Sequence, residues 1–107
     1  MLPLKTSVTL SLDEAVLERL ADMAALQGRS IFSYVTVVLR EYAWDVERGK
    51  KPVGLEVSFG PRRRKRTKTL TIDHEVLAKL RRYAELDARP LSQYINGVLK
   101  AHVSELQ

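Results

Sequence analysis

Two stretches of the chain hold the side chains best placed to do chemistry. Ser7, Thr9 and Ser11 alternate with Val8, Leu10 and Leu12, while Thr67, Thr69 and Thr71 bracket Lys68 and Leu70 and lead to Ile72. Each row of hydroxyls is headed by a lysine in the same register, Lys5 and Lys65. Just before and into the second row runs Arg62-Arg63-Arg64-Lys65-Arg66. Cations at that density suit a polyanionic partner, because neutralising phosphates releases condensed counterions. A solvated basic linker is the competing reading of the same run.

Other chemistries find less support. The chain has no cysteine, hence no disulfide, no thiolate nucleophile and no cysteine-ligated zinc. His74 and His102 are far apart in sequence, without clustered carboxylates, so each is expected at a surface helix position rather than in a metal or acid–base site. No metal, cofactor or small-molecule ligand is expected, and an enzyme is the least expected function. There is no long apolar run to serve as a signal or membrane segment, so the expectation is a soluble, intracellular, cytoplasmic chain. Its net charge of +5 is uneven: residues 1–50 hold six Lys/Arg against seven Asp/Glu, so the positive excess lies in the remainder.

The elements that would position these side chains occur twice. Shifted by 60 residues, Leu10, Asp13, Val16, Leu17, Leu20, Ala24, Arg29, Tyr34, Val38 and Leu39 fall on identical residues from Leu70 to Leu99 without a gap. Each copy opens with period-two alternation, the pattern of a half-buried strand: Val8, Leu10, Leu12, Leu70 and Ile72 inward, the hydroxyls and lysines outward. Asp13 and Asp73 then stand as helix N-caps. Apolar residues at three and four residue steps follow, Val16, Leu17, Leu20, Met23/Ala24 and Val76, Leu77, Leu80, Tyr83/Ala84, which predicts a helix with one buried stripe.

Gly28 suits a left-handed C-terminal cap. Ala88 suits it poorly, which predicts a different geometry for the second turn. A second helix is expected from about Ser30 or Pro90, its apolar side formed by Ile31, Tyr34, Val35, Val38, Leu39 and Tyr42, and by Leu91, Tyr94, Ile95, Val98, Leu99 and Val103. Tyr34 and Tyr94 are expected to pack with their phenol tips at the surface, and Trp44 either caps the core or contacts a neighbouring molecule. Residues 45–64 form a connection broken by Gly49, Pro52, Gly54, Gly60 and Pro61, in which 55–59 alternates as a short strand or an extended arm. A repeat of about 40 residues is too small for a secure core, and one strand alone has no partner, so the two copies are expected to pair strands and share a core.

Strand, capped helix, turn and amphipathic helix in this order resemble the ribbon-helix-helix family of DNA-binding proteins, the Arc/MetJ type. The resemblance rests on Thr9-Leu10-Ser11-Leu12-Asp13 through Leu20 with Gly28-Arg29-Ser30, and on Thr69-Leu70-Thr71-Ile72-Asp73 through Leu80 with Arg89-Pro90-Leu91-Ser92-Gln93-Tyr94-Ile95. It implies a mainly α fold with a two-stranded antiparallel β-ribbon, made of two fused units: 1–44, a linker at 45–64, and 65–107. It further implies that the ribbon enters the major groove of double-stranded DNA. Carried over by position, Lys5, Ser7, Thr9, Ser11, Lys65, Thr67, Thr69 and Thr71 would face bases. Arg29, Ser30, Arg89 and Ser92, at the starts of the second helices, would hold phosphates, with Arg62, Arg63, Arg64 and Arg66 as further phosphate contacts.

The function expected from this resemblance is sequence-specific DNA binding by a transcriptional regulator, a repressor, of prokaryotic, plasmid or viral origin and located at the nucleoid, with self-association on adjacent sites. An accessory protein of conjugative transfer that binds and bends an origin of transfer is the alternative within DNA binding. An antitoxin or protein-interaction module is the alternative outside it.

Overall fold

The computed structural model describes residues 4–55 and 64–105. Within them the chain order is β1 (Lys5–Asp13), α1 (Glu14–Leu26), α2 (Ile31–Glu47), β2 (Lys65–Asp73), α3 (His74–Leu86) and α4 (Leu91–Glu105). The protein is mainly helical, with one two-stranded antiparallel sheet. Helix α2 runs on to Glu47, into the segment read from sequence as connection, and stops where Gly49 takes a φ of 75°.

β1 and β2 pair along their whole length, from Lys5 opposite Asp73 to Asp13 opposite Lys65. The ladder extends one step at each end, where the Glu14 amide donates to the Arg64 carbonyl at 2.9 Å and the His74 amide to the Leu4 carbonyl at 2.8 Å. The two strands carry equivalent residues 60 apart, and in this register a single pair of equivalents meets face to face: Thr9 and Thr69. A pseudo-twofold axis therefore passes between these two threonines. Their hydroxyls lie 3.1 Å apart, in hydrogen-bond contact.

Alternation sends Leu10, Leu12, Leu70 and Ile72 inward, where they join a cluster of buried side chains drawn from both strands and all four helices. Leu12, Leu20, Leu39, Ile72, Leu80, Ile95 and Leu99 have almost no contact with solvent. Burying an aliphatic side chain of this kind contributes about 1.5–3 kcal/mol before the entropy of ordering is subtracted.

The helix ends follow from local chemistry. The Asp13 carboxylate accepts from the Ala15 amide at 3.0 Å, Asp73 from Glu75 at 3.1 Å, and the Ser30 hydroxyl from Ser33 at 3.1 Å, each satisfying an amide that has no intrahelical acceptor. Helices α1 and α3 end in the same six-to-one hydrogen-bonded turn. Arg29 donates to the Ala24 carbonyl and Arg89 to the Ala84 carbonyl, both at 2.9 Å. Gly28 supplies the left-handed residue of the first turn with a φ of 65°, and Ala88 that of the second with a φ of 54°. The different geometry expected of the second turn is thus absent: the paired hydrogen bonds impose the left-handed conformation on alanine despite its Cβ.

Two expectations about polar tips are corrected. Tyr94 is fully buried, and its hydroxyl donates to the Val53 carbonyl at 2.7 Å while lying 2.8 Å from the Tyr42 hydroxyl. Burial pushes the Tyr94 phenol well above the usual range, with the Tyr42 bond adding to the shift. Tyr34 is also buried, its hydroxyl 2.8 Å from His102 Nε2. His102 is accordingly half-buried rather than a plain surface residue, and burial lowers its pKa below the usual histidine value. His74 is exposed. Trp44 remains partly exposed, with the guanidinium groups of Arg40 and Arg48 at 5.5 and 6.0 Å from its ring.

Candidate nucleic-acid interface

The outward face of the ribbon is built by strand parity. Lys5, Ser7, Thr9 and Ser11 on β1 and Lys65, Thr67, Thr69 and Thr71 on β2 are all exposed. The strand-end residues of the same parity, Asp13 and Asp73, turn their carboxylates onto the first turns of α1 and α3. Asp73 lies opposite Lys5 and Asp13 opposite Lys65, and between these ends the exposed face is made of six hydroxyls. Such a face offers donors, acceptors and threonine methyls to a partner.

The starts of α2 and α4 approach this face from opposite ends. Ser92, at the second position of α4, is tied to the strand: its hydroxyl accepts from the Ser11 amide at 2.8 Å and donates to the Ser11 carbonyl at 3.1 Å. Deeper in the same helix, buried Asn96 accepts from the Asp13 amide at 2.9 Å. Helix α4 is therefore pinned to β1 at two successive odd residues. At the other end Phe32, Ser33 and Thr36 of α2 form an open hollow with Thr69 and Thr71 of β2. Phe32 occupies the position, 60 residues earlier, that Ser92 occupies in the second copy.

The phosphate-contact candidates separate into groups. Ser30 caps α2, and Arg29 beside it is exposed. Arg89 instead pairs with Asp87 through its Nε at 2.8 Å and is half-buried. Asp87 also accepts from the Leu55 amide at 3.3 Å, so Arg89 belongs to a structural cluster that anchors the connection. The Ser92 hydroxyl is engaged with the strand backbone. Pro90 precedes α4 and has no amide hydrogen, so α4 opens with one donor fewer than α2.

Arg66 has inward parity and places its guanidinium 3.1 Å from the Glu14 carboxylate, an exposed bridge of the kind that contributes about 0–1 kcal/mol. Arg64 is exposed at the ribbon's end, beside Glu14 and Glu18. Arg62, Arg63 and segment 56–59 lie outside the described residues.

Sequence reasoning missed Phe32, Asn96 and the Ser92 tether. The repeat held a signal for them, since Phe32/Ser92 and Thr36/Asn96 are mismatched pairs in otherwise aligned helices. Among the described residues no helix is long and apolar enough to cross a membrane, and no group of three or more His, Asp or Glu side chains could hold a metal ion. No family model, no curated protein and no solved structure matches this chain.

Proposed function

We infer that this protein binds double-stranded DNA in a sequence-specific way, as a transcriptional regulator built from two ribbon-helix-helix units joined in one chain and sharing one core. The observation that carries the reading is the outward ribbon face: eight exposed residues, two of them lysines and six hydroxylic, with the acids of matching parity bonded to helix amides at the two ends. A two-stranded ribbon fits the major groove, where hydroxyls meet base-edge donors and acceptors and threonine methyls meet thymine. The pseudo-axis between Thr9 and Thr69 would lie over the centre of the site. Ser7 and Thr67, equivalent across that axis, would read opposite sides of it.

Selection of bound duplexes from a random pool, followed by footprinting, tests this. Ser7→Ala and Thr67→Ala are expected to relax preference on opposite sides of the protected centre. Replacing Arg29, exposed at the start of α2, by glutamine is expected to weaken all sequences alike and to reduce the slope of log K against log salt by about one. No protected duplex at low salt would end the proposal.

A further inference from the structure

The two ends of the ribbon face are chemically unequal. At the β1 end the Ser92 hydroxyl is consumed by the backbone of Ser11. At the β2 end the matching residue, Phe32, has no hydroxyl to make that tether and keeps 46% of its surface exposed. Its ring is not adrift: it lines a narrow crevice with Leu12, Ile31, Val35, Lys68 and Leu70 at the margin of the core. The same ring lines the outer hollow with Thr69 and Thr71. Phe32 thus stands between the margin of the core and two outward threonines, with nearly half of its surface exposed.

An exposed aromatic next to solvent-facing threonines forgoes hydrophobic stabilisation in the free protein, and an apolar partner would restore it. In the major groove one base edge offers such a group, the C5-methyl of thymine. Resting on the DNA-binding reading above, we propose that Phe32 is a specificity-determining residue that contacts a thymine methyl in one half-site only, the half under the C-terminal end of β2, where Thr71 stands opposite Ser7. The other half-site, under Ser92, has no equivalent contact. Threonine methyls reach both halves, but only one half gains the Phe32 contact, so the preferred target is asymmetric, with the stronger methyl dependence on the Phe32 side.

The test uses a duplex selected from a random pool by the full chain. Each thymine is replaced singly by deoxyuridine, which removes the methyl and leaves the pairing edge intact. For the unaltered protein, replacing a thymine on one side of the site is expected to weaken affinity about fourfold, the value of one buried methyl of about 0.8 kcal/mol converted at 1.4 kcal/mol per tenfold.

Phe32→Ser is expected to lose the excess methyl effect on that side, bringing the two half-sites level, and Phe32→Leu to keep part of it. Thermal melts of both variants check that the exposed substitution leaves the fold intact. Methyl effects that are equal in the two half-sites, or unchanged in Phe32→Ser, would overturn this proposal and leave DNA binding standing. Failure to recover any bound duplex would overturn both.

Discussion

Ala88 is a non-glycine residue with positive φ, held at 54° in a turn whose counterpart uses Gly28 at 65°. A left-handed backbone costs an L-residue about 1–2 kcal/mol, whereas glycine adopts it freely but raises the entropy of the unfolded chain by about 0.4–1 kcal/mol. Ala88 is exposed, so its methyl gives little packing in return. Ala88→Gly is therefore expected to stabilise the protein by about 0.5–1 kcal/mol. Gly28→Ala is expected to destabilise it by a similar amount, and no steric penalty is added because a Cβ at Gly28 meets nothing within 4 Å. In a chain of this size such a change moves Tm by roughly 2–8 °C. Urea unfolding followed by circular dichroism should show opposite shifts in midpoint with an unchanged m-value. A lower midpoint for Ala88→Gly, or a higher one for Gly28→Ala, would refute the argument that the shared hydrogen-bonded turn forces alanine into the left-handed region.

Three further outcomes follow from buried polar groups. Asn96→Ala leaves the Asp13 amide without its acceptor in the interior and is expected to cost about 1–3 kcal/mol in denaturant unfolding. Tyr94→Phe removes the donor to the Val53 carbonyl and the partner of Tyr42; an expected loss of about 1–2 kcal/mol should be accompanied by faster hydrogen exchange around residues 52–55. His102 is depressed by burial, so the unfolded chain binds its proton more readily. Its contribution to stability is full above the unfolded value of 6.5 and is lost as pH falls from there through the lower folded value. Stability measured from pH 7.5 to 5 should therefore fall more steeply for the native chain than for His102→Gln.

What the sequence made legible was whatever rests on short-range rules. Strand parity placed every outward hydroxyl correctly, and Asp13, Asp73 and Ser30 cap their helices as their residue types require. Periodicity found the buried stripes of all four helices. Less legible were features decided by residues far apart in the chain. Ser92 looked available for a phosphate until the fold set it against Ser11, and Arg89 until the connection brought Leu55 to share Asp87 with it. The depth of Tyr94 depends on Tyr42 and on Val53 in the connection, which no local pattern brings together. Even the left-handed Ala88 went against local propensity, because a pair of backbone hydrogen bonds outweighs one unfavourable φ.

The pseudo-axis through Thr9 and Thr69 allows the two halves to be compared position by position. The buried leucines keep type and size, Leu10 with Leu70, Leu12 with Ile72, Leu20 with Leu80 and Leu39 with Leu99, whereas the buried Tyr83, Asn96 and Tyr42 stand against Met23, Thr36 and His102. A close-packed interior restricts such positions, since a change of one methylene is felt by every neighbour. On the outward face Lys5 with Lys65 and Thr9 with Thr69 are kept, while Ser7 against Thr67, Ser11 against Thr71 and, beside the face, Phe32 against Ser92 differ. Two identical chains meeting on an axis must present the same residue on both sides. A single chain carries no such constraint, so Ser92 can fasten one helix to its strand while Phe32 leaves a hydrophobic ring open at the opposite end. If the ribbon reads DNA as proposed, this freedom has its consequence in the target: the best site departs from a palindrome on the side that Phe32 covers.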